Sequence, residues 1–317
     1  MATPTSGGFP DVLNPVFKKV FVDSFAQYDA TNNFIPKFFN VLTSTKSSEK
    51  FSSLGAIGEL ERLDAMGRVQ YDQPFEGYDV TIDFPEYARG FTVTRKLYDD
   101  DQFNALSQYP AKLATAAVRT KQTYAVSVFK NAFSTTWATP DGFTLATTGG
   151  DAVALCSDSH TFRAPAANGK TQITDNKGTA AVTATTLDTV RQAMMAFTDD
   201  RGNMIGIDPD MILIPPELEK TLYEIRSSDK VPGEFSNTAN FMYGRFAVVV
   251  WPRLTDANDW FMIDSRAMKE HLFWFDRVQP ELGKAEDFNA VSAMWRVYAR
   301  WGYGFTDWRW IYGSSVT

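Results

Sequence analysis

The stretch of sequence that decides the fold runs over Tyr78–Asp101 and reads YDVTIDFPEYARGFTVTRKLYDDD. Apolar and polar residues alternate over Tyr78–Phe84 and again over Phe91–Thr94, which is the period of a half-buried strand. Pro85 separates the two runs, and we expect them to form an extended β-hairpin. A two-stranded hairpin is marginally stable in water, so its apolar face predicts a protein that completes itself by assembly. The residues of this candidate assembly interface are Val80, Ile82, Phe84, Phe91 and Val93.

A long helix is predicted directly after the hairpin. Asp99–Asp101 suit its N-terminus, because carboxylates interact favourably with free N–H groups and with the positive end of the helix dipole. The chain then runs to Phe133 without a glycine, and Pro110 indicates either an early kink or a delayed start of the helix. A helix from Gln102 to Phe133 would span about 45–50 Å.

Apolar and charged residues of this helix are expected on different faces. The apolar residues recur at helical spacing and form one stripe, which predicts a buried face. The stripe consists of Leu106, Leu113, Ala117, Tyr124 and Val128, and the cations expected off the stripe are Lys112, Arg119, Lys121 and Lys130. A helix this long is unusual in a compact α/β domain. It is therefore either a core helix of an α+β protein or the spine of an assembling subunit.

The rest of the chain predicts short helices and strands. Strands are expected at 211–214, 245–251, 259–263, 272–275, 293–301 and 305–312, and helices at 187–197, capped by Thr186, and after Pro215-Pro216. Their mixture without regular βαβ alternation predicts an α+β fold. Residues 1–50 carry short apolar clusters at helical spacing. They predict either a helix packed on the body or an arm that contacts neighbouring subunits.

Composition excludes several classes of protein. The 317 residues, 44% hydrophobic and 22% charged, suit a globular protein of one large or two smaller domains. The net charge of −7 gives no basic footprint for nucleic-acid recognition, which does not exclude a protein that merely encloses nucleic acid. The lone Cys156 excludes an internal disulfide framework. We find no apolar signal core and no membrane-length apolar run, and expect synthesis in a reducing cytoplasm.

The sequence offers no convergent catalytic or metal-binding set. His160, His271 and one cysteine cannot supply a zinc site without carboxylates. His160 follows Ser157 and Ser159, but no Gly-x-Ser-x-Gly nucleophile elbow accompanies them. Asp199–Asn203 faintly resembles a calcium loop but lacks the glutamate at the twelfth position, so a plain turn is favoured. We predict no catalytic residue, no cofactor and no metal.

All tryptophans lie from Trp137 onward, and several crowd near the end of the chain. Exposed aromatic residues would form a platform for carbohydrate, whereas buried ones fill a core or an interface. In a strand, Trp308 and Trp310 would share one face, and a core or interface position is favoured for them. A carbohydrate-active or other hydrolytic enzyme that uses scattered carboxylates is the alternative function.

Four stretches, taken in order, resemble one known family. The stretch FTVTRKLYDDDQF at 91–103 resembles the start of the spine helix in tailed-phage major capsid proteins of the Hong Kong 97-like fold. The Mu-like major head subunit branch is the nearest. The other three stretches are Asp141-Gly142 with LCSDSH at 155–160, residues 209–228 with IPPEL at 214–218, and VVVWP at 248–252 with LTD at 254–256 and Trp260-Phe261. Together they cover roughly residues 58–317.

This resemblance implies a non-enzymatic major capsid protein. Its copies would self-assemble as hexamers and pentamers into an icosahedral head shell that encloses packaged double-stranded DNA without sequence-specific binding. The hairpin would be the extended loop that reaches over a neighbouring subunit. Portal, scaffold or cement proteins are the other implied partners. The protein would be made and assembled in the host cytoplasm and end in the virion capsid. A tail or decoration protein of the virion is a further alternative.

The resemblance also implies a division of the chain. The expected regions are an N-terminal arm (1–50), an extended loop (51–97), the spine helix of a peripheral domain (98–137), an axial domain (138–261), peripheral strands (262–303) and a C-terminal strand returning to the axial domain (304–317). In this division the chain leaves the peripheral domain after the spine helix and returns to it later.

Covalent crosslinks are a further property that the resemblance raises. Some members of the family join a lysine of the extended loop to an asparagine of a neighbour, with a nearby carboxylate as base. Between Phe51 and Arg95 this chain has no lysine, and Lys96 sits at the base of the predicted hairpin. Arg68 and Arg89 cannot substitute, because a guanidinium stays protonated and is no nucleophile. We therefore predict a shell without covalent crosslinks.

Overall fold

The chain divides into two compact units, each built from three segments. The computed structural model describes residues 8–60, 62–63, 66–67, 69, 71, 75–100, 106, 108–163, 170–230, 239–287 and 289–317. The first unit contains Met1–Glu49, Ile82–Ala125 and Trp274–Tyr303, and the second contains Lys50–Thr81, Val126–Phe273 and Gly304–Thr317.

Helices and strands are mixed along the chain, as an α+β fold requires. The helices are α1 (Gly8–Asn32), α2 (Ile35–Phe38), α3 (Arg95–Asp99), α4 (Gln108–Lys130), α5 (Ala184–Met195), α6 (Glu219–Ser227) and α7 (Ser265–His271). The strands are β1 (Asn40–Thr43), β2 (Ser48–Leu54), β3 (Glu76–Asp83), β4 (Glu86–Thr94), β5 (Thr136–Ala138), β6 (Thr144–Ala146), β7 (Lys177–Gly178), β8 (Met211–Ile214), β9 (Ala247–Val250), β10 (Trp260–Ile263), β11 (Leu272–Asp287), β12 (Ser292–Phe305) and β13 (Ile311–Ser314). None of the described helices combines the length and the apolar composition that a membrane span requires.

A four-stranded sheet in the order β1-β11-β12-β4 forms the first unit together with α1 and α4. The buried side of β12 carries Ala293, Trp295, Val297, Ala299 and Trp301. Helix α1 lies against this side, because Phe17 meets Trp295 edge to face with ring centroids 5.0 Å apart. Phe21 packs with Leu113 of α4 and with Val297. Of the two alternatives for the N-terminal region, the structure shows the packed helix; a contact of α1 with a neighbouring subunit stays a prediction.

The predicted long helix is α4, but it is shorter than expected. It begins at Gln108 and ends at Lys130, which gives a length of about 35 Å. Pro110 lies in its first turn, where a missing N–H costs no helical hydrogen bond, so the delayed start is confirmed. Asp99 is the last residue of the short helix α3 and does not open α4, which begins at Gln108. Thr94 lies at the start of α3 and accepts from the Leu97 N–H at 3.3 Å. Gln102 and Asp101 lie outside the described residues.

The faces of α4 agree with the prediction except at one residue. Leu106 in the turn before the helix and Leu113, Tyr124 and Val128 within it are buried, Ala117 is half-buried, and Lys112, Arg119 and Lys130 are exposed. Lys121 was expected off the apolar stripe and is buried. It tolerates burial because its Nζ lies 2.9 Å from the Asp276 Oδ1 atom of β11.

The predicted pairing of Tyr78–Phe84 with Phe91–Leu97 is wrong. Strand β3 pairs with β2 in a two-stranded ribbon, and β4 pairs antiparallel with β12. Phe91 stacks on Trp295 with ring centroids 5.5 Å apart, so the side chain that covers β4 comes from far along the chain. Alternation identifies a strand and its buried face, but it does not identify the partner strand.

A five-stranded sheet in the order β7-β13-β10-β8-β9 forms the core of the second unit. All four residues of the predicted strand β8 are buried. The predicted cap of α5 is wrong, because Thr183 caps the helix and Thr186 is the third helical residue, which bonds back to it. The predicted strand at 305–312 is also wrong in part, since β12 ends at Phe305 and β13 begins at Ile311. Trp308 and Trp310 lie in the turn between them and are buried, which confirms their core position.

Candidate assembly surface

The β2–β3 ribbon is anchored at its base to the body of the second unit. Phe51 stacks on Phe273 with ring centroids 4.8 Å apart. The Tyr78 hydroxyl lies 2.8 Å from the Thr161 Oγ1 atom. Gly150 allows this close approach, because an added Cβ there would lie 2.6 Å from the Cβ of Tyr78. The base of the ribbon is therefore fixed by an aromatic stack, a hydrogen bond and a glycine contact.

Large apolar side chains face solvent beyond this base. We call the following residues the apolar segment: Leu54, Ile57, Leu60, Leu63, Met66, Val69 and Tyr71. Leu54 is 80% exposed and Ile57 is 78% exposed. Exposed apolar side chains that form a contiguous patch are typical of interaction surfaces. We therefore treat the apolar segment as a candidate assembly surface.

The polar contacts of the same stretch point back to the second unit. Arg201 donates through Nε to the Ala56 carbonyl oxygen at 2.6 Å. The Lys170 ammonium lies 3.0 Å from a carboxylate oxygen of Glu59. The Ala56 carbonyl oxygen and the Glu59 carboxylate thus have partners in the second unit, whereas the side chains of Leu54, Ile57 and Leu60 face solvent.

Three of the five predicted interface residues are already buried in the chain. Ile82, Phe84 and Val93 are each no more than 3% exposed, whereas Val80 and Phe91 are half-buried. The prediction that these side chains lose their exposure mainly on assembly is therefore wrong for Ile82, Phe84 and Val93. Phe84 shows the reason, since its ring lies 5.6 Å from that of Phe275 within the first unit. A contact of Val80 or Phe91 with a neighbouring subunit stays a prediction.

The sequence carried a signal for the apolar segment that the strand patterns did not include. From Leu54 to Val69 an apolar residue stands at every third position. A repeat of three matches neither the strand period of two nor the helical period of 3.6. Read as a periodic pattern in its own right, it would have placed the exposed apolar residues before β3.

A charged centre lies beside the ribbon base and lines a pocket of about 220 Å³. The Arg309 guanidinium contacts Asp200 at 2.6 Å and Asp307 at 2.5 Å. Burial raises the pKa of the Asp307 carboxyl, but Arg309 and then His271 outweigh burial and bring that pKa below its usual value. Burial lowers the pKa of Arg309, and Asp307 and Asp200 outweigh it in the same way. In this centre one guanidinium bridges two carboxylates and ties the turn before β13 to the Asp200 loop.

His160 contacts two polar side chains and no serine hydroxyl. Its Nδ1 atom lies 2.6 Å from Asp151 and its Nε2 atom lies 3.1 Å from the side-chain oxygen of Asn176. Both ring nitrogens are therefore occupied, and the Ser157 hydroxyl contacts that of Ser159 instead. The hydroxyl–imidazole contact that a serine nucleophile needs is not formed by these residues.

The other candidate reactive groups also have structural roles. Cys156 is buried, and burial raises the pKa of its thiol above the usual range, which disfavours the reactive thiolate. One Asp199 carboxylate oxygen accepts the backbone N–H groups of Arg201 and Asn203 at 2.8 Å each, so this aspartate closes a turn. Among the described residues, no group of three or more His, Cys, Asp or Glu side chains could hold a metal ion.

The sequence matches the family model of the phage capsid protein over residues 77–314. The chain therefore belongs to the phage capsid protein family. No curated protein sequence matches it.

Solved capsid structures share its fold at low sequence identity. The chain is similar to the mature capsid of bacteriophage PhiM1, with a TM-score of 0.56, 11% identity and coverage of 88% of this chain and 85% of that one. The Mycobacterium phage Patience structure gives a TM-score of 0.59 at 11% identity, covering 96% and 88%. The procapsid of bacteriophage JBD30 gives 0.50 at 15% identity, covering 100% and 77%. These similarities confirm the predicted Hong Kong 97-like capsid fold.

Proposed function

We propose that this phage capsid protein is the major subunit of the head shell, in which its copies assemble as hexamers and pentamers around packaged double-stranded DNA. Membership of the family supports the shell. The apolar segment supports the mode of assembly, because a side chain such as Ile57 gains about 1.5–3 kcal/mol when it is buried against a second copy. Repeated over every subunit, this burial makes assembly collective.

The two units take different places in this proposal. The first unit, with α4 as its spine helix, is the peripheral domain, and the second unit is the axial domain around which subunits gather. The extended loop is the β2–β3 ribbon with the apolar segment, instead of the predicted pairing of β3 with β4. The predicted arm is α1, which packs through Phe17 and Phe21 on its own first unit.

The remaining assignments are finer parts of the same proposal. We infer a protein without enzymatic activity, which the occupied ring nitrogens of His160 support. We also infer the Mu-like branch, supported by the stretch at 91–103 and by the order of the later motifs. The subunit would be made and assembled in the host cytoplasm, with portal, scaffold or cement proteins completing the head.

Electron microscopy of the purified full chain tests the proposal. Shells, tubes or sheets are expected from the wild-type protein. The variant Ile57→Asp with Leu60→Asp should stay unassembled while its circular dichroism spectrum is unchanged. The matched variant Ile57→Leu with Leu60→Ile keeps the apolar area and should form shells.

Two results would contradict the proposal. Normal shells from the double aspartate variant would show that the apolar segment is not needed for assembly. A monodisperse wild-type monomer with hydrolase activity would favour the enzyme alternative. The variant Ile82→Asp gives a useful contrast, since a charge at this buried position should unfold the subunit itself.

A further inference from the structure

The turn Thr198–Met204, which we call the clasp, lies beside the stretch that carries the apolar segment. One Asp199 carboxylate oxygen accepts the backbone N–H groups of Arg201 and Asn203, and the other accepts the Asn203 side-chain amide at 2.9 Å. The Asp199 N–H donates in turn to the Asn203 carbonyl oxygen at 2.8 Å. The clasp is therefore closed by its own hydrogen bonds.

Arg201 is the first of two links from the clasp to this stretch. It donates through Nε to the Ala56 carbonyl oxygen at 2.6 Å, and its guanidinium lies 5.6 Å from the centre of the Phe75 ring. Phe75 closes the stretch from the other side, because its carbonyl oxygen accepts the Gly55 N–H at 2.9 Å. A charge-assisted hydrogen bond and a cation over an aromatic ring thus meet where residues 55 and 75 come together.

Lys170 supplies the second link. Its ammonium contacts the side-chain oxygen of Asn203 in the clasp and lies 3.0 Å from a carboxylate oxygen of Glu59. Gly202 allows the lysine to pass this close to the turn, since an added Cβ would lie 2.7 Å from the Lys170 Cβ atom. All residues of the two links belong to the second unit.

The two links contact polar groups of the stretch and leave its apolar side chains outward. Leu54, Ile57 and Leu60 stand three residues apart and face solvent, with Leu60 fully exposed. The groups that the clasp and Lys170 contact, the Ala56 carbonyl and the Glu59 carboxylate, lie between them in the sequence. The stretch is therefore held by its polar groups while its apolar side chains stay in solvent.

We propose that the clasp presents the apolar segment to a second copy of the chain, with Arg201 as the positioning residue. This inference rests on the proposed function and adds how the assembly surface is held before it meets its partner. A segment that is already held loses less conformational entropy on docking, and the apparent affinity falls with the fraction of subunits in which it is held. The two links are made within one subunit, so they do not compete with burial of the apolar side chains against another copy.

Amide hydrogen exchange tests the holding step in subunits kept below the concentration at which shells form. In the variant Arg201→Met with Glu59→Gln, the Gly55 amide should exchange at least about tenfold faster, the factor expected from the loss of one hydrogen bond to a charged group. The variant Arg201→Lys with Glu59→Gln keeps a cationic donor and should exchange at an intermediate rate. Circular dichroism and thermal unfolding should be unchanged, because both links lie outside the core of the five-stranded sheet.

Electron microscopy over a concentration series tests the presentation step. If release leaves the segment held in about one subunit in ten, the lowest concentration that gives shells should rise about tenfold. The matched control Arg245→Met with Glu224→Gln removes another arginine that stacks on a phenylalanine, Phe241 at 4.1 Å, and another exposed ion pair. This control should keep the wild-type exchange rate and the wild-type assembly concentration.

The two measurements separate this inference from the proposed function. Faster exchange together with a higher assembly concentration supports the inference. Unchanged exchange, an equal change in the control, or faster exchange with assembly at the wild-type concentration or below it overturns the inference and leaves shell formation untouched. A wild-type chain that forms no shells contradicts the proposed function and, with it, the presentation step, whereas the exchange rates decide the holding step in either case.

Discussion

At the scale of single residues, the first unit contains a buried ion pair between Lys121 and Asp276. The Lys121 ammonium lies 2.9 Å and 3.2 Å from the two carboxylate oxygens. Asp276 also accepts from Trp274 Nε1 at 2.9 Å and from Gln279 at 2.7 Å. Four hydrogen bonds thus satisfy the carboxylate, and removing the cation would leave a buried charge without its counter-ion.

We expect Lys121→Met to lower the free energy of unfolding by about 3–5 kcal/mol, because Asp276 then stays buried and uncompensated. The double variant Lys121→Met with Asp276→Leu should recover much of this loss, since no charge is left in the core. Denaturant unfolding followed by tryptophan fluorescence measures both. Lys112→Met on the same helix is the control and should change stability by no more than about 0.5 kcal/mol. A single variant at 121 as stable as this control would contradict the prediction.

At the scale of elements, the close packing of β3 against the Gly150 loop depends on the absence of a side chain at Gly150. An alanine Cβ at this position would lie 2.6 Å from the Tyr78 Cβ atom and 3.2 Å from the Val80 side chain. Strand β3 would have to move away from the Gly150 loop. The hydroxyl contact between Tyr78 and Thr161 would then lengthen and the ribbon base would loosen.

We expect Gly150→Ala to destabilise the chain by about 1–3 kcal/mol, the usual cost of forcing atoms into a filled space. Amide hydrogen exchange near Tyr78 in β3 should accelerate, because the strand loses its close packing against the Gly150 loop. Gly283→Ala is a matched control, since its Cβ would meet Arg296 at an ordinary 3.8 Å. If exchange in β3 is the same in both variants, Gly150 does not hold the ribbon.

Local patterns predicted the elements better than their partners. The apolar run Met211–Ile214 correctly predicted a buried strand, and the stripe through Leu113 and Tyr124 correctly predicted the buried face of α4. The pairing of β4 with β12 depends on Trp295, which no period within residues 78–101 can reveal. The burial of Lys121 was not predicted for the same reason. A buried lysine is tolerable here only because of Asp276, which is far away in the sequence. Of the predicted interface, Val80 and Phe91 retain partial exposure, while the apolar segment needed a repeat of three to be noticed.

At the scale of the whole molecule, the described ribbon carries a single lysine, Lys50, and this residue lies beside Phe51 at the base of the ribbon. Lys50 is the third residue of β2 and is paired with Asp79 at 2.7 Å, and Lys96 lies in α3 after the first-unit strand β4. The buried Cys156 cannot reach another copy without unfolding its surroundings. Non-covalent burial of apolar surface, charge pairs or a cement protein must then hold the shell.

We therefore expect boiled and reduced mature particles to run on a denaturing gel as one band near 35.5 kDa. Particles boiled without reductant serve as the control and should give the same band, because a thiol in this position does not form disulfides between copies. A ladder of multimers that survives both denaturant and reductant would show that a crosslink forms by a route other than a loop lysine.

The three-segment construction of each unit also decides how many times the backbone passes from one unit to the other. The chain changes from one unit to the other at 49–50, 81–82, 125–126, 273–274 and 303–304. Every one of these changes falls inside a strand or a helix, namely β2, β3, α4, β11 and β12. The backbone therefore joins the two units through five separate connections, and a single cut in any one of them leaves the other four intact. A protease that nicks one connection would consequently not release either unit from the subunit.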